Sequence, residues 1–261
     1  MWADTLTTAE VEFTQRAIGS LATAGWASSL LSRLEHQGGI CRSTMPLLFE
    51  VRVASALHRL GIRVSYEHRT GSGQRSADFR VQGKPEWLIE AVRLGESDAM
   101  KAATKRSGNG FSLNLSSAAG DEKQSEEGEV IKAMERIAEK ACKFPKPRGA
   151  RFHVVLVDVR GYLDGGDHDD YKEMAYGTGA PRPENRHWWR GEPVLGLFDL
   201  RNARHSARLV QQRVHLLGFI AERMFCEGEI QNIGFYLPNP GLLAGREAAA
   251  QAFQTYPLRQ V

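Results

Sequence analysis

A chain of 261 residues, 42% hydrophobic and 25% charged, is long enough for one large domain with extensions and too apolar to be intrinsically disordered. A formal net charge of +3 does not announce a nucleic-acid binder, and three widely spaced cysteines (Cys41, Cys142, Cys226) with no Cys-x-x-Cys pair support neither a disulfide framework nor a cysteine zinc site. The longest aliphatic run, Val154 to Val157, is far too short to span a bilayer, and MWADTLTTAEVEF has acids where a signal peptide carries basic residues, so a cytoplasmic protein is expected. The positive charge comes from 25 Arg and nine Lys. Arginine offers planar, bidentate contacts to phosphate, although an arginine excess is also a common surface bias.

The first stretch, Thr7 to about Glu35, reads as helix: Thr7 and Glu10 have capping-box spacing, and Val11, Ile18, Leu21, Ala22, Leu31 and Leu34 keep a rough helical period. Gly25 divides it into two pieces, and Gln37-Gly38-Gly39 ends it. A second helix runs from near Pro46 to Leu60 and stops at Gly61. Three strands follow, Ile62 to His68, Ser76 to Val81 and Glu86 to Leu94, separated by polar Gly- and Pro-containing turns and reading as an antiparallel meander. Residues 107–128 read as a loop or partly ordered insertion. An amphipathic helix from about Glu126 to Phe144 carries Val130, Met134, Ile137, Ala141 and Phe144 on one face, and Arg151 to Val159 reads as a strand buried on both faces.

Beyond that strand the pattern is less regular. Gly161 to Gly191 reads as a long loop, Val194 to Leu200 as a candidate strand, Arg201 to Cys226 as mostly helix, and Ile230 to Leu237 as a strand before Pro238-Asn239-Pro240. The expected organisation is a helical extension over 1–40, a core over 41–160, and an elaboration over 161–261 packed on the same domain.

Three acids stand out from this background. On the second helix, Leu47, Ala54 and Leu57 lie within about 60° of Glu50, so its carboxylate sits inside the apolar arc and must be neutral, paired or near a metal. Glu90 shares a strand face with Leu88, Val92 and Leu94, and Asp78 lies on the strand before it. Two convergent carboxylates repel unless a cation lies between them, and hard oxygen donors suit Mg²⁺ or Mn²⁺, which activate water and stabilise charge on a phosphate. The plain alternative is two strand acids pairing separately with Arg80 and Arg93.

A helix with Glu50, then Asp78-Phe79, then Ile89-Glu90-Ala91, in the order α-β-β-β-α-β over about 46–159, resembles the PD-(D/E)xK nuclease superfamily. The resemblance implies an α/β, restriction-endonuclease-like mixed β-sheet flanked by helices, and a metal-dependent phosphodiesterase. It implies Asp78 and Glu90 as metal-binding acids, the Ala91 carbonyl as backbone ligand, Mg²⁺ or Mn²⁺ as cofactor, and nucleic acid, DNA ahead of RNA, as partner. Glu50 matches the helical acid of many members and would assist directly or through water.

The chain departs from the family where its lysine belongs, at Val92, which can neither neutralise developing charge nor help activate water. Lys140 and Lys143 border the apolar face of the next helix and would have to reach back, as relocated lysines do in some members. Favourable charge in a helix's last turn explains the same two lysines without chemistry. The departure therefore leaves two readings: a nuclease with a relocated lysine, or an inactive nuclease fold that binds nucleic acid or a protein partner. The strand VVLVDV and the late FYLPNP are also similar to uncharacterised bacterial proteins assigned to this superfamily.

Other candidates carry ordinary explanations beside functional ones. Asp164, Asp167, His168, Asp169 and Asp170 crowd one segment without calcium-loop spacing. Tyr176, His187, Trp188 and Trp189 would stack on bases or pin a loop to the sheet. Arg201, Arg204 and Arg208 recur at helical spacing, with Arg213 further on, as a phosphate-contacting stripe or a solvated helix face.

Overall fold

The structure is a computed structural model that describes residues 6–71, 75–95, 104–107, 110–113, 126–162, 166–177, 194–222, 224–225 and 230–259. Helix α1 (Thr8–Leu21) starts from the expected capping box between Thr7 and Glu10. A short 3-10 turn over Gly25–Ala27 then leads into α2 (Ser28–His36). The buried face of α1 is Glu10, Thr14, Ala17 and Leu21, one step round from the expected Val11 and Ile18. The reason is an ion pair: Glu10 turns inward to meet Arg160, and both side chains are buried.

Helix α3 (Met45–Arg59) has Pro46 in its first turn, where no N–H is missed, and is buried at every residue from Leu47 to Leu57. The meander follows as β1 (Val64–Arg69), β2 (Ser76–Val81) and β3 (Glu86–Arg93), each antiparallel to the next. Helix α4 (Glu126–Ala141) crosses over and returns the chain as β6 (Arg151–Asp158), parallel to β3 from Glu86↔Arg151 to Arg93↔Asp158. Antiparallel neighbours need only turns, whereas the parallel pair needs this helical crossover.

The start of the segment read as a loop over 107–128 contains β5 (Gly110–Leu113), which pairs with β4 (Thr104–Ser107) just before it in a separate two-stranded sheet. Residues 108–109 and 114–125 lie outside the described residues. The long loop after β6 holds α5 (His168–Tyr176), whose N-terminus is a capping box between Asp167 and Asp170. The acidic cluster thus satisfies the first N–H groups of a helix. Asp164, His187, Trp188 and Trp189 lie outside the described residues.

The candidate strand over 194–200 is not one. Its main chain turns back onto α5, with Leu197 N–H on Met174 O at 2.8 Å and Phe198 N–H on Ala175 O at 2.7 Å, so it caps carbonyls that the helix end leaves open. A Cβ on Gly196 would lie 2.3 Å from the Gly177 nitrogen, so this approach requires glycine.

The segment read as mostly helix splits. Helix α6 covers His205–Arg213, and Leu216–Ile220 form β7, buried at every residue and parallel to β6. A short apolar run bounded by a helix end is what a parallel core strand looks like. The chain closes with α7 (Ile230–Ile233), β8 (Gly234–Pro238) antiparallel to β7, and α8 (Arg246–Thr255).

The result is a six-stranded mixed sheet, order β1-β2-β3-β6-β7-β8, between helices on both faces. On one face Trp87, Ile89 and Ala91 pack with α1, α2 and α3; on the other Leu88, Val92 and Leu94 pack with α4, α5 and α6. Each fully buried large aliphatic or aromatic side chain contributes about 1.5–3 kcal/mol to holding these layers together. Among the described residues no helix is long and apolar enough to cross a membrane.

Two histidines at the start of β6 and β7 belong to the core. The His153 ring lies flat on Phe144 with centroids 4.8 Å apart, and the His153 N–H donates to His215 Nδ1 at 3.0 Å. Burial holds both rings neutral: His153 is lowered to about 4, and His215 to about 3 with help from its neighbour. In the unfolded chain each takes a proton below about 6.5, so the unfolded state binds more protons and stability falls as pH drops from there toward 3. Proton NMR of the two rings should therefore show no titration between pH 8 and 5.5; a midpoint near 6.5 would contradict this burial.

Candidate active site

The ladder between β2 and β3 runs only from Val81↔Trp87 to Phe79↔Ile89. One residue further the side chains take over: Asp78 N–H donates to Glu90 Oε1 at 3.1 Å, and Ala91 N–H donates to Asp78 Oδ2 at 2.9 Å. Across Asp78 on the other side, β1 skips its pairing at Glu67, which holds φ +50°, a left-handed conformation unfavourable for a residue with a Cβ. Both carboxylates are therefore fixed in a gap of the sheet by main-chain donors. Asp78 is 6% exposed and Glu90 0%, so neither is solvated as an ordinary surface acid would be.

Neither acid pairs with the nearby arginines. Arg80 binds Glu86 at 2.5 Å and Arg93 binds Asp158 at 3.1 Å. The lysines come instead. Lys143 Nζ is 2.8 Å from Glu90 Oε2 and 3.2 Å from Asp78 Oδ1. Lys140 Nζ is 3.4 Å from Glu90 Oε2 and 3.9 Å from Asp78 Oδ2. Val92 sits on the same face, packed into the hydrophobic layer of α4. The position two residues after the second acid is thus occupied by packing, and the ammonium groups beside the two acids come from the end of α4 and the turn after it.

Glu50 approaches from the opposite face. Its two oxygens each lie 2.8 Å from Arg33 Nη2, and Oε2 accepts the Tyr66 hydroxyl at 2.6 Å. Arg33 also reaches Glu67 at 2.9 Å, so it ties the strained strand residue to the helical acid. The expected apolar-arc carboxylate is thus a paired one. Spacing along α2 does not mark Arg33 out, because its partners meet it only once Leu30 and Leu34 have packed α2 onto the core. Tyr66 is likewise an ordinary strand aromatic until α3 is docked.

Burial dominates the electrostatics of this gap. Burial and then the Asp78 charge push Glu90 up to about 8, against the pull of Lys140 and Lys143. Burial and Asp78 likewise push Glu50 up to about 7, against Tyr66, Arg33 and Lys140. Burial would lower the Lys143 ammonium, but Asp78 and Glu90 outweigh it and raise it. Glu90 Oε2 is buried and accepts no aligned hydrogen bond; its neighbours are the two ammonium groups. An oxygen in this state can take a cation.

The arginine stripe is dispersed. Arg201 lies before α6 and is held by Asp199 at 2.7 Å, Arg204 precedes the helix with Glu135 at 3.7 Å, and Arg208 is exposed on the helix itself. Arg213 turns to carbonyls beyond the end of α4, Phe144 O at 2.8 Å and Cys142 O at 3.4 Å. Tyr176 donates its hydroxyl to Pro238 O at 2.9 Å and anchors α5 to β8. Among the described residues no group of three or more His, Cys, Asp or Glu side chains is disposed to hold a metal ion. Comparison with family models, with curated proteins and with solved structures returns no match.

Proposed function

We propose that the chain is a divergent, restriction-endonuclease-like member of the PD-(D/E)xK superfamily that hydrolyses phosphodiester bonds in nucleic acid with Mg²⁺ or Mn²⁺, DNA ahead of RNA. The observation that carries the reading is that Asp78, Glu90 and the Lys143 ammonium meet within 3.2 Å, although the lysine comes from a different element than the family pattern specifies. An antiparallel meander followed by a helical crossover to a parallel strand supports the same reading.

Asp78, Glu90 and the Ala91 carbonyl would hold the ion. N–H and C=O of one strand residue leave by the same edge, and the Ala91 N–H already faces Asp78. When bound, the metal supplies Lewis acidity toward the phosphate and lowers the pKa of water. The protein's own groups orient and neutralise. Main-chain donors keep the two carboxylates converged, and Lys143 places a fixed positive charge where negative charge develops. Arg33 and Tyr66 hold Glu50 beside the pair from the far face.

The test is cleavage of mixed DNA and RNA substrates with Mg²⁺ or Mn²⁺ by wild type, Asp78→Ala and Glu90→Ala. Cleavage is expected only in the wild type. It should rise with pH toward about 8, because a proton on Glu90 competes with the cation and is lost in that direction. Equal cleavage by all three proteins would place the activity elsewhere.

One observation favours a second reading. Both carboxylates already have ammonium partners within the chain, so the gap can be neutral without a metal. An inactive nuclease fold that binds nucleic acid or protein would show no cleavage with either metal and no metal-linked change in nucleic-acid affinity.

A further inference from the structure

Helix α4 ends without glycine. After Ala141 the chain makes a turn through Cys142, Lys143 and Phe144 before Pro145, and the carbonyls of that turn need partners from elsewhere. They find three. Arg75, just before β2, donates Nη1 to Cys142 O at 2.7 Å. Thr70, just after β1, donates its hydroxyl to Lys143 O at 2.9 Å. Arg213, the last residue of α6, donates Nη1 to Phe144 O at 2.8 Å. Phe144 itself is fully buried against His153, whose Nδ1 bonds the Arg213 carbonyl at 2.6 Å.

We propose that Thr70, Arg75 and Arg213 form a clamp on the 142–144 turn, and that they are positioning residues for the relocated lysine of the site. Their catalytic consequence rests on the nuclease reading above; the placement of Lys143 does not. Lysine carries four flexible methylenes, so an ammonium that must touch two carboxylates on another element needs its own Cα fixed. The clamp supplies that anchor from the same hairpin that carries Asp78 and from the helix leading into β7. Lys140, one turn earlier on the regular part of α4, needs no such device and stands further from both acids.

This arrangement explains how the family's lysine position can be given to Val92. The charge is moved to a turn that the surrounding fold holds as firmly as a strand. It also explains why Arg213 does not belong to an outward phosphate-contacting stripe: its guanidinium is committed to main-chain carbonyls.

The experiment is competitive acetylation of the intact protein with acetic anhydride at pH 8, reading Lys143 as a ratio to Lys146 by peptide mass spectrometry. It is run on wild type, Thr70→Val, Thr70→Ser and Arg213→Met. An ammonium held between carboxylates reacts slowly, and each unit by which its pKa falls on release raises the reactive amine about tenfold. The expected result is a rise in the ratio of about tenfold in Thr70→Val and in Arg213→Met. Thr70→Ser, which keeps the hydroxyl, should stay near wild type.

The proposal is overturned if the ratio is unchanged in Thr70→Val and Arg213→Met, or if Thr70→Ser behaves as Thr70→Val does. General loosening releases Lys140 as well, so a rise at Lys140 equal to that at Lys143 counts against the clamp. The readout needs no catalysis. A wild-type chain that cleaves nothing would therefore remove the nuclease reading and leave the clamp standing, whereas active enzyme with an unchanged ratio would remove the clamp alone.

Discussion

Replacing Lys143 with Met is expected to lower metal-dependent cleavage by about 10²–10³-fold, the usual cost of removing one preorganised group that faces developing negative charge. Methionine keeps the length and apolar body of the side chain, so the buried stem remains packed and only the ammonium is lost. Lys140→Met should cost less, because its nitrogen is 3.4 and 3.9 Å from the two acids against 2.8 and 3.2 Å for Lys143. Both ammonium groups hold Glu90 down against burial and Asp78, so in either variant the rise in activity should move to higher pH. Single-turnover rates across pH 6 to 9 separate the two effects. A larger loss in Lys140→Met than in Lys143→Met would reassign the lysine role.

The largest effect on stability is expected just beyond the end of β6. Glu10 of α1 and Arg160, just after β6, form an ion pair whose side chains are 0% and 1% exposed, and Glu10 Oε1 also accepts the Phe225 N–H at 3.3 Å. Burial would raise the Glu10 carboxyl, but Arg160 and the N–H groups of Thr7 and Phe225 hold it below the usual range. Removing one partner leaves a buried charge without its counterion, so Arg160→Met should cost about 3–5 kcal/mol. In a chain of this size the melting temperature would fall by on the order of 10 °C. The double variant Glu10→Met/Arg160→Met should recover part of that loss, because two apolar side chains need no counterion, while Thr7 and the Phe225 N–H still lose the carboxylate that accepts from them. Urea titration followed by circular dichroism measures both, and a double variant no more stable than the single one would show that packing around the pair, and not its charge, carries the stability.

The α-β-β-β-α-β spine was legible because each element carries its own period. Alternation placed Glu90 with Leu88 and Val92, and the helical period placed Lys140 and Lys143 at the rim of the face that packs on those same residues. What escaped had weak or misleading local signals. Leu216–Ile220 is too short to show alternation, and following a helix it reads as more helix. The sequence HDDYKEMAY is polar enough to pass for a loop, although its acids are a helix start. Thr104–Ser107 has no apolar residue to mark it as strand. Arg33 and Tyr66 were invisible for a different reason: their partner, Glu50, is distant along the chain, and only packing of α2 and β1 against α3 makes them neighbours.

The clamp on the 142–144 turn has a bearing on how the chain can be divided. Residues 41–160 contain Asp78, Glu90, Lys140 and Lys143, and would pass as a self-sufficient unit for excision or grafting. Yet the Glu50 counterion, Arg33, is contributed from before that interval, and one jaw of the clamp, Arg213, from after it. A transplanted middle segment would carry every group with acid or base character and leave behind two of the fixtures that aim them. Shuffling or trimming of this fold is therefore constrained at both flanks by two guanidinium groups, Arg33 and Arg213, neither of which bears any chemistry of its own.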